Sequence, residues 1–143
     1  MGYQNVYWYR DGLKGWKKAG YPTSYTIKFK FEPPPPIEPS ALQKKIEGKE
    51  KMFLVDIRDE MSISKFGKID GPTLYYPLYR FHSLCWELPK NRLLVIFDIR
   101  GKQAPNAARY LLQKYFDRNR VTWLKGGIDA WAKLGLPMIK VDR

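Results

Sequence analysis

The residues Leu93–Phe97, LLVIF, form an unbroken apolar run with the β-branched and aromatic content of a strand buried on both faces. Turn chemistry follows at 98–103. Pro105 then stands where a helix takes its first residues, a place where its missing N–H is no loss. Ala107, Ala108, Leu111, Leu112 and Tyr115 recur at helical spacing and predict a helix over Ala104–Phe116. Shorter apolar runs predict strands at Met52–Val55 and Val121–Leu124. Helices are predicted behind Pro39 with Leu42 and Ile46 inward, behind a capping Asp59 with Met61 and Phe66, over Phe81–Leu88, and around Trp131. Strands alternating with helices in this way predict an α/β fold, a central parallel sheet with helices on both faces.

The pattern changes upstream of Ile37. In Ser24–Phe31 the residues Ile27, Phe29 and Phe31 alternate with Lys28 and Lys30, the period of a half-buried strand. Pro33–Pro36 then predict a stiff extended spacer. Further upstream, Val6–Pro22 (VYWYRDGLKGWKKAGYP) echoes Val121–Pro137 (VTWLKGGIDAWAKLGLP) without a gap. Val6/Val121, Trp8/Trp123, Gly12/Gly127, Trp16/Trp131, Lys18/Lys133, Gly20/Gly135 and Pro22/Pro137 are identical. Each copy reads as strand, glycine turn, short helix and a Gly-x-Pro stop. The expected organisation is therefore a tail of a preceding repeat at 1–22, a strand and Pro-rich linker at 23–36, and a complete domain at 37–143.

Composition narrows the function classes. An apolar share of 44% suffices for a core, and no apolar run approaches the length of a membrane span. No basic start leads into an apolar signal segment, and the reading leaves cytoplasm and periplasm equally open. The single cysteine, Cys85, excludes an internal disulfide and a cysteine-cluster metal site. A net charge of +12 favours anionic partners, but the basic residues are spread along the chain and no nucleic-acid motif accompanies them. A basic module for a polyanion is the alternative that charge alone supports.

The candidate chemistry lies where the central strand meets its helix. Loop N–H groups and the positive helix end converge there into an anion cradle around Asp98, Ile99, Arg100, Gly101, Lys102 and Gln103. The segment Leu88–Ala108, LPKNRLLVIFDIRGKQAPNAA, resembles the active-site segment of rhodanese-like domains, in which a cysteine at the strand end takes a sulfane sulfur as a persulfide. Asp56-Ile57-Arg58 resembles the family's early Asp-x-Arg motif, which braces that loop, and Lys68-Ile69-Asp70-Gly71 stands in place of its usual His-Ile-Pro-Gly. Leu74–Leu78 resembles the family's next strand and its proline. Both copies of the internal echo resemble the family's closing element.

With Gly101 and Ala107–Ala108 as anchors, the resemblance places the family's cysteine on Asp98. A carboxylate cannot carry a persulfide and would repel thiosulfate. The resemblance thus implies a non-catalytic domain that serves a catalytic repeat of a tandem sulfurtransferase as scaffold or cleft wall, with no cofactor and no metal. Two other chemistries fail on the residues. An aspartyl phosphotransferase needs a second acid where Arg100 stands, and a Cys-x5-Arg phosphatase needs cysteine and arginine where Asp98 and Gln103 stand. Arg100 and Lys102 are expected to pair with Asp98, with binding of a small anion as the alternative. Cys85, one helical turn from His82, is expected to be a small core residue rather than half of a reactive pair or metal site. The aromatic residues of 1–31 offer a route to self-association.

Overall fold

A computed structural model describes residues 4–24 and 30–141. In chain order its elements are α1 (Gly12–Lys18), β1 (Pro36–Ile37), α2 (Pro39–Glu47), β2 (Met52–Asp56), α3 (Glu60–Phe66), β3 (Lys68–Ile69), β4 (Thr73–Tyr75) and α4 (Leu78–Leu84). These are followed by β5 (Leu93–Phe97), α5 (Ala104–Gln113), β6 (Val121–Leu124), α6 (Gly127–Lys133) and β7 (Met138–Ile139). The sheet runs β1-β6-β5-β2-β4, every pairing parallel, while β3 and β7 form a small antiparallel ribbon.

The central position of β5 explains its unbroken apolar run. Leu94 and Ile96 face a layer with Phe81, Cys85, Ala107, Ala108 and Leu111, drawn from α4, α5 and the turn between α4 and β5. Val95 and Phe97 face the opposite layer, with Leu42 of α2, Leu124 of β6, and Ile128 and Trp131 of α6. Helices cover both faces, as the apolar pattern predicts.

Several boundaries move for local reasons. Pro77 caps α4, which starts at Leu78, so β4 ends at Tyr75 instead of continuing to Leu78. The helix predicted over Phe81–Leu88 gives way to a tighter 3₁₀ turn at Cys85–Glu87. α5 stops at Gln113 because Tyr115 takes the left-handed conformation, φ +65°, that usually falls to glycine. The Phe116 N–H then bonds back to the Leu111 carbonyl at 3.2 Å, and the Phe116 ring is buried.

Pro33–Pro36 do not act as a free spacer. Pro36 begins edge strand β1, and the carbonyls of Pro34 and Pro35 accept from the Trp123 indole (2.8 Å) and the Thr122 hydroxyl (2.7 Å). Arg118 holds the Glu32 and Pro33 carbonyls at 3.0 and 3.2 Å. The strand predicted over Ser24–Phe31 falls largely outside the described residues. Its last residue, Phe31, is half-buried against the α4–α5 layer.

Candidate functional site

The loop 98–103 leaves the C-terminal end of β5 and enters α5. Asp98 is 3% exposed, and its carboxylate is met by main-chain amides. Oδ1 accepts from Gly101 N–H; Oδ2 accepts from Gln103 N–H and, at 3.1 Å, from Ala104 N–H. The cradle predicted from strand, loop and helix start is present, and it is occupied by the chain's own anion. Arg100 and Lys102 do not neutralise Asp98, contrary to what their positions in the sequence suggest. Among the described residues no ion pair joins either cation to Asp98, and both side chains are exposed, as is Gln103. Amides within a few residues of Asp98 reach its carboxylate without ordering a long side chain, which makes them the cheaper counter-charge.

Two further layers stand behind the loop, and the first is bonded to it. Asp98 and Ile99 offer their carbonyls to the N–H groups of Ile128 and Asp129, each at 2.9 Å, so the first turn of α6 is bonded to the loop. The approach is close enough to require glycine. A Cβ on Gly127, where φ is +62°, would lie 2.5 Å from the Asp98 carbonyl oxygen, and one on Gly101, φ +73°, would lie 2.8 Å from Gly126 N. Gly126-Gly127 look in the sequence like a plain turn, yet these adjacent glycines are the visible signal of this buttress.

Asp56 and Arg58 form the second layer. Arg58 Nε and Nη2 donate to the Asp56 carboxylate at 2.9 and 2.7 Å, and Nη2 also donates to the Gly67 carbonyl at 2.9 Å. The guanidinium lies 5.4 Å from the centre of the Phe97 ring, beside the residue that carries Asp98. The pair therefore braces the end of β5 and the exit of α3. Among the described residues it makes no hydrogen bond to 98–103 itself. Lys68 and Ile69 form β3, which pairs with β7. An open depression lies nearby, lined by residues that include Asp56, Glu60, Lys68, Thr73 and Tyr75; the 98–103 loop takes no part in it.

Cys85 and His82 form no reactive pair. Cys85 is fully buried in the α4–α5 layer, its Sγ near the His82 carbonyl at 3.7 Å, while the imidazole is exposed. Burial pushes the thiol pKa up, and Lys114 opposes this only in part. A thiol whose folded pKa is raised stabilises the fold fully below its unfolded value and loses that contribution as pH rises through the folded one. Near neutral pH, Cys85 is expected to resist a thiol-disulfide reagent in the native protein and to react at least ~10²-fold faster in denaturant. Equal rates would place the thiol at the surface.

Among the described residues no group of three or more His, Cys, Asp or Glu is placed to hold a metal ion. No helix there is long and apolar enough to cross a membrane.

Comparison with known proteins gives a consistent picture. The sequence profile of the rhodanese-like domain matches residues 38–134. A sulfurtransferase of Allochromatium vinosum is 35% identical over 103 residues, covering 72% of this chain and 92% of that protein. A rhodanese-like domain from Anabaena superposes with TM-score 0.65 at 25% identity, covering 78% of this chain and 81% of that one. A rhodanese-related protein of Thermoplasma volcanium also superposes with TM-score 0.65, at 19% identity, and covers 74% and 98% of the two chains; it shares the fold.

Proposed function

The chain belongs to the rhodanese-like domain family, and from that premise we propose that residues 37–143 are a non-catalytic member, a scaffold or cleft wall for a sulfur-carrying rhodanese-like repeat. The observation that carries this reading is Asp98 bound in its own loop. Aligned on Gly101 and Ala107–Ala108, Asp98 takes the place of the family's sulfur-carrying cysteine. Sulfur transfer there requires a thiolate to attack the outer sulfur of thiosulfate, break the S–S bond and release sulfite. An acceptor such as cyanide then removes the bound sulfur as thiocyanate.

A carboxylate forms no stable bond of that kind, and this one is already engaged by Gly101, Gln103 and Ala104. The sole cysteine, Cys85, is buried and its pKa is raised, so it cannot substitute. Each carboxylate oxygen sits two bonds beyond Cβ, as the outer sulfur of a persulfide does, but on shorter bonds. The loop thus carries a permanent charge where a sulfur-carrying site has a transient one. A site so occupied suits recognition of the catalytic repeat better than turnover.

The test is thiosulfate with cyanide, monitored for thiocyanate. The intact chain is expected to give the rate of a protein-free blank. Turnover that disappears in Cys85→Ser would overturn the proposal.

A further inference from the structure

The echo between Val6–Pro22 and Val121–Pro137 is structural as well as sequential. α1 and α6 are both 7 residues long and begin at equivalent glycines, with φ +56° at Gly12 and +62° at Gly127. Each closes in the same way. The Trp16 indole donates to the Pro22 carbonyl at 2.9 Å, and the Trp131 indole donates to the Pro137 carbonyl at 3.0 Å. Gly20 and Gly135, both at positive φ, donate to Lys17 and Ala132 at 3.0 and 2.9 Å.

Their surroundings differ completely. Val121, Ile128 and Trp131 are 3%, 1% and 0% exposed, whereas Val6, Leu13 and Trp16 are 74%, 61% and 39% exposed. The N–H groups of Ile128 and Asp129 reach the carbonyls of Asp98 and Ile99, but those of Leu13 and Lys14 have no such acceptor among the described residues. A Cβ on Gly127 would strike the site loop, while a Cβ on Gly12 would meet nothing within 4 Å. The upstream copy has the form of a closing element, and among the described residues no sheet packs against it.

We propose that residues 6–22 are the closing strand and helix of a second rhodanese-like body, one with the place between its edge strand and central strand vacant. This rests on the reading of residues 37–143 as the partner of such a repeat. The register is set by β6, where Val121 and Trp123 align with Leu94 and Ile96. Val6 and Trp8 take the same places against the partner's central strand. The amides of Leu13 and Lys14 then bond the first two carbonyls of the partner's site loop, so this segment positions the loop that holds its nucleophile.

The area is adequate. A buried aromatic side chain contributes about 150–250 Å². Trp8 and Trp16 with Val6 and Leu13 therefore supply roughly half or more of the ~800 Å² that one side of a stable interface needs. A second copy of this chain fits less well, because its equivalent place is already filled by its own β6, hydrogen-bonded on both sides.

The test is a graft in the intact chain, with the sequence of 6–22 replacing 121–137. A second graft keeps Leu124, which avoids forcing the bulk of Tyr9 into a fully buried site. At least one graft is expected to melt cooperatively within about 15 °C of the parent, with blue-shifted tryptophan emission. A scrambled graft is expected to show no transition. Failure of both grafts, or cooperative folding of the scrambled one, overturns the proposal. Sedimentation of the unaltered chain is expected to give a monomer. A discrete dimer dispersed by Leu13→Asp assigns the surface to a second copy and also overturns it. The thiosulfate assay reads only the 98–103 site, so its failure and a failed graft identify different errors.

Discussion

Changing Asp98 to cysteine is expected to give a protein that gains the mass of a sulfur atom on incubation with thiosulfate, visible by intact mass spectrometry. The converging Gly101, Gln103 and Ala104 amides and the start of α5, a helix of 10 residues, are in place whichever side chain they surround. A thiol set there has its thiolate stabilised by those donors and by the helix end, which lowers its pKa toward neutrality. The first sulfur replaces the carboxyl carbon, and the sulfur it accepts extends toward the amides that now hold a carboxylate oxygen. Arg100 and Lys102, exposed beside the loop, then face an incoming thiosulfate dianion with no competing carboxylate. Thiocyanate formation is expected to rise ~10²-fold or more above the parent, equivalent to about 2.7 kcal/mol of barrier. A folded variant with unchanged mass would show that Asp98 is not the only obstacle to sulfur loading in this loop.

The second large effect is on stability. Arg58→Ala is expected to cost about 3–5 kcal/mol, because it leaves the Asp56 carboxylate buried without its counter-charge. For a domain of this size that lowers Tm by about 10–20 °C. Both side chains are almost wholly excluded from water, at 1% and 2% exposure, so solvent cannot replace the lost partner. Arg58→Lys is expected to recover little, since a single ammonium cannot span both Asp56 oxygens and the Gly67 carbonyl. An apolar pair, Asp56→Leu with Arg58→Met, is expected to regain much of the loss. If the single alanine variant melted within a few degrees of the parent, the ion pair would not be the clasp described.

The residues that made the fold legible share a physical property: their pattern is enforced by burial on both sides. Leu93–Phe97 admits no reading but a central strand, and the α5 face from Ala107 to Leu112 is fixed by the same layer. The position and solvation of Asp98 were also legible, since a strand end, a turn and a helix start converge by geometry. What escaped the sequence was how much the main chain does alone. The amide cradle at Asp98 was expected, but the charges of Arg100 and Lys102 suggested an ion pair that Gly101, Gln103 and Ala104 N–H groups make unnecessary. The bonds from α6 to the loop are likewise amide to carbonyl, with only Gly126 and Gly127 as a trace. Pro33–Pro36 misled for the opposite reason. A proline run reads as a spacer because it offers no N–H, yet the chain entering an edge strand can be held through its carbonyls.

That proline edge also sets a limit on growth. A foreign strand approaching the outer flank of β1 meets Pro36, a residue unable to donate, and the preceding prolines extend this barren border. Zipper-like addition of neighbouring molecules, the first step toward fibrils, is therefore starved of amides on that flank without a charged guard residue being needed.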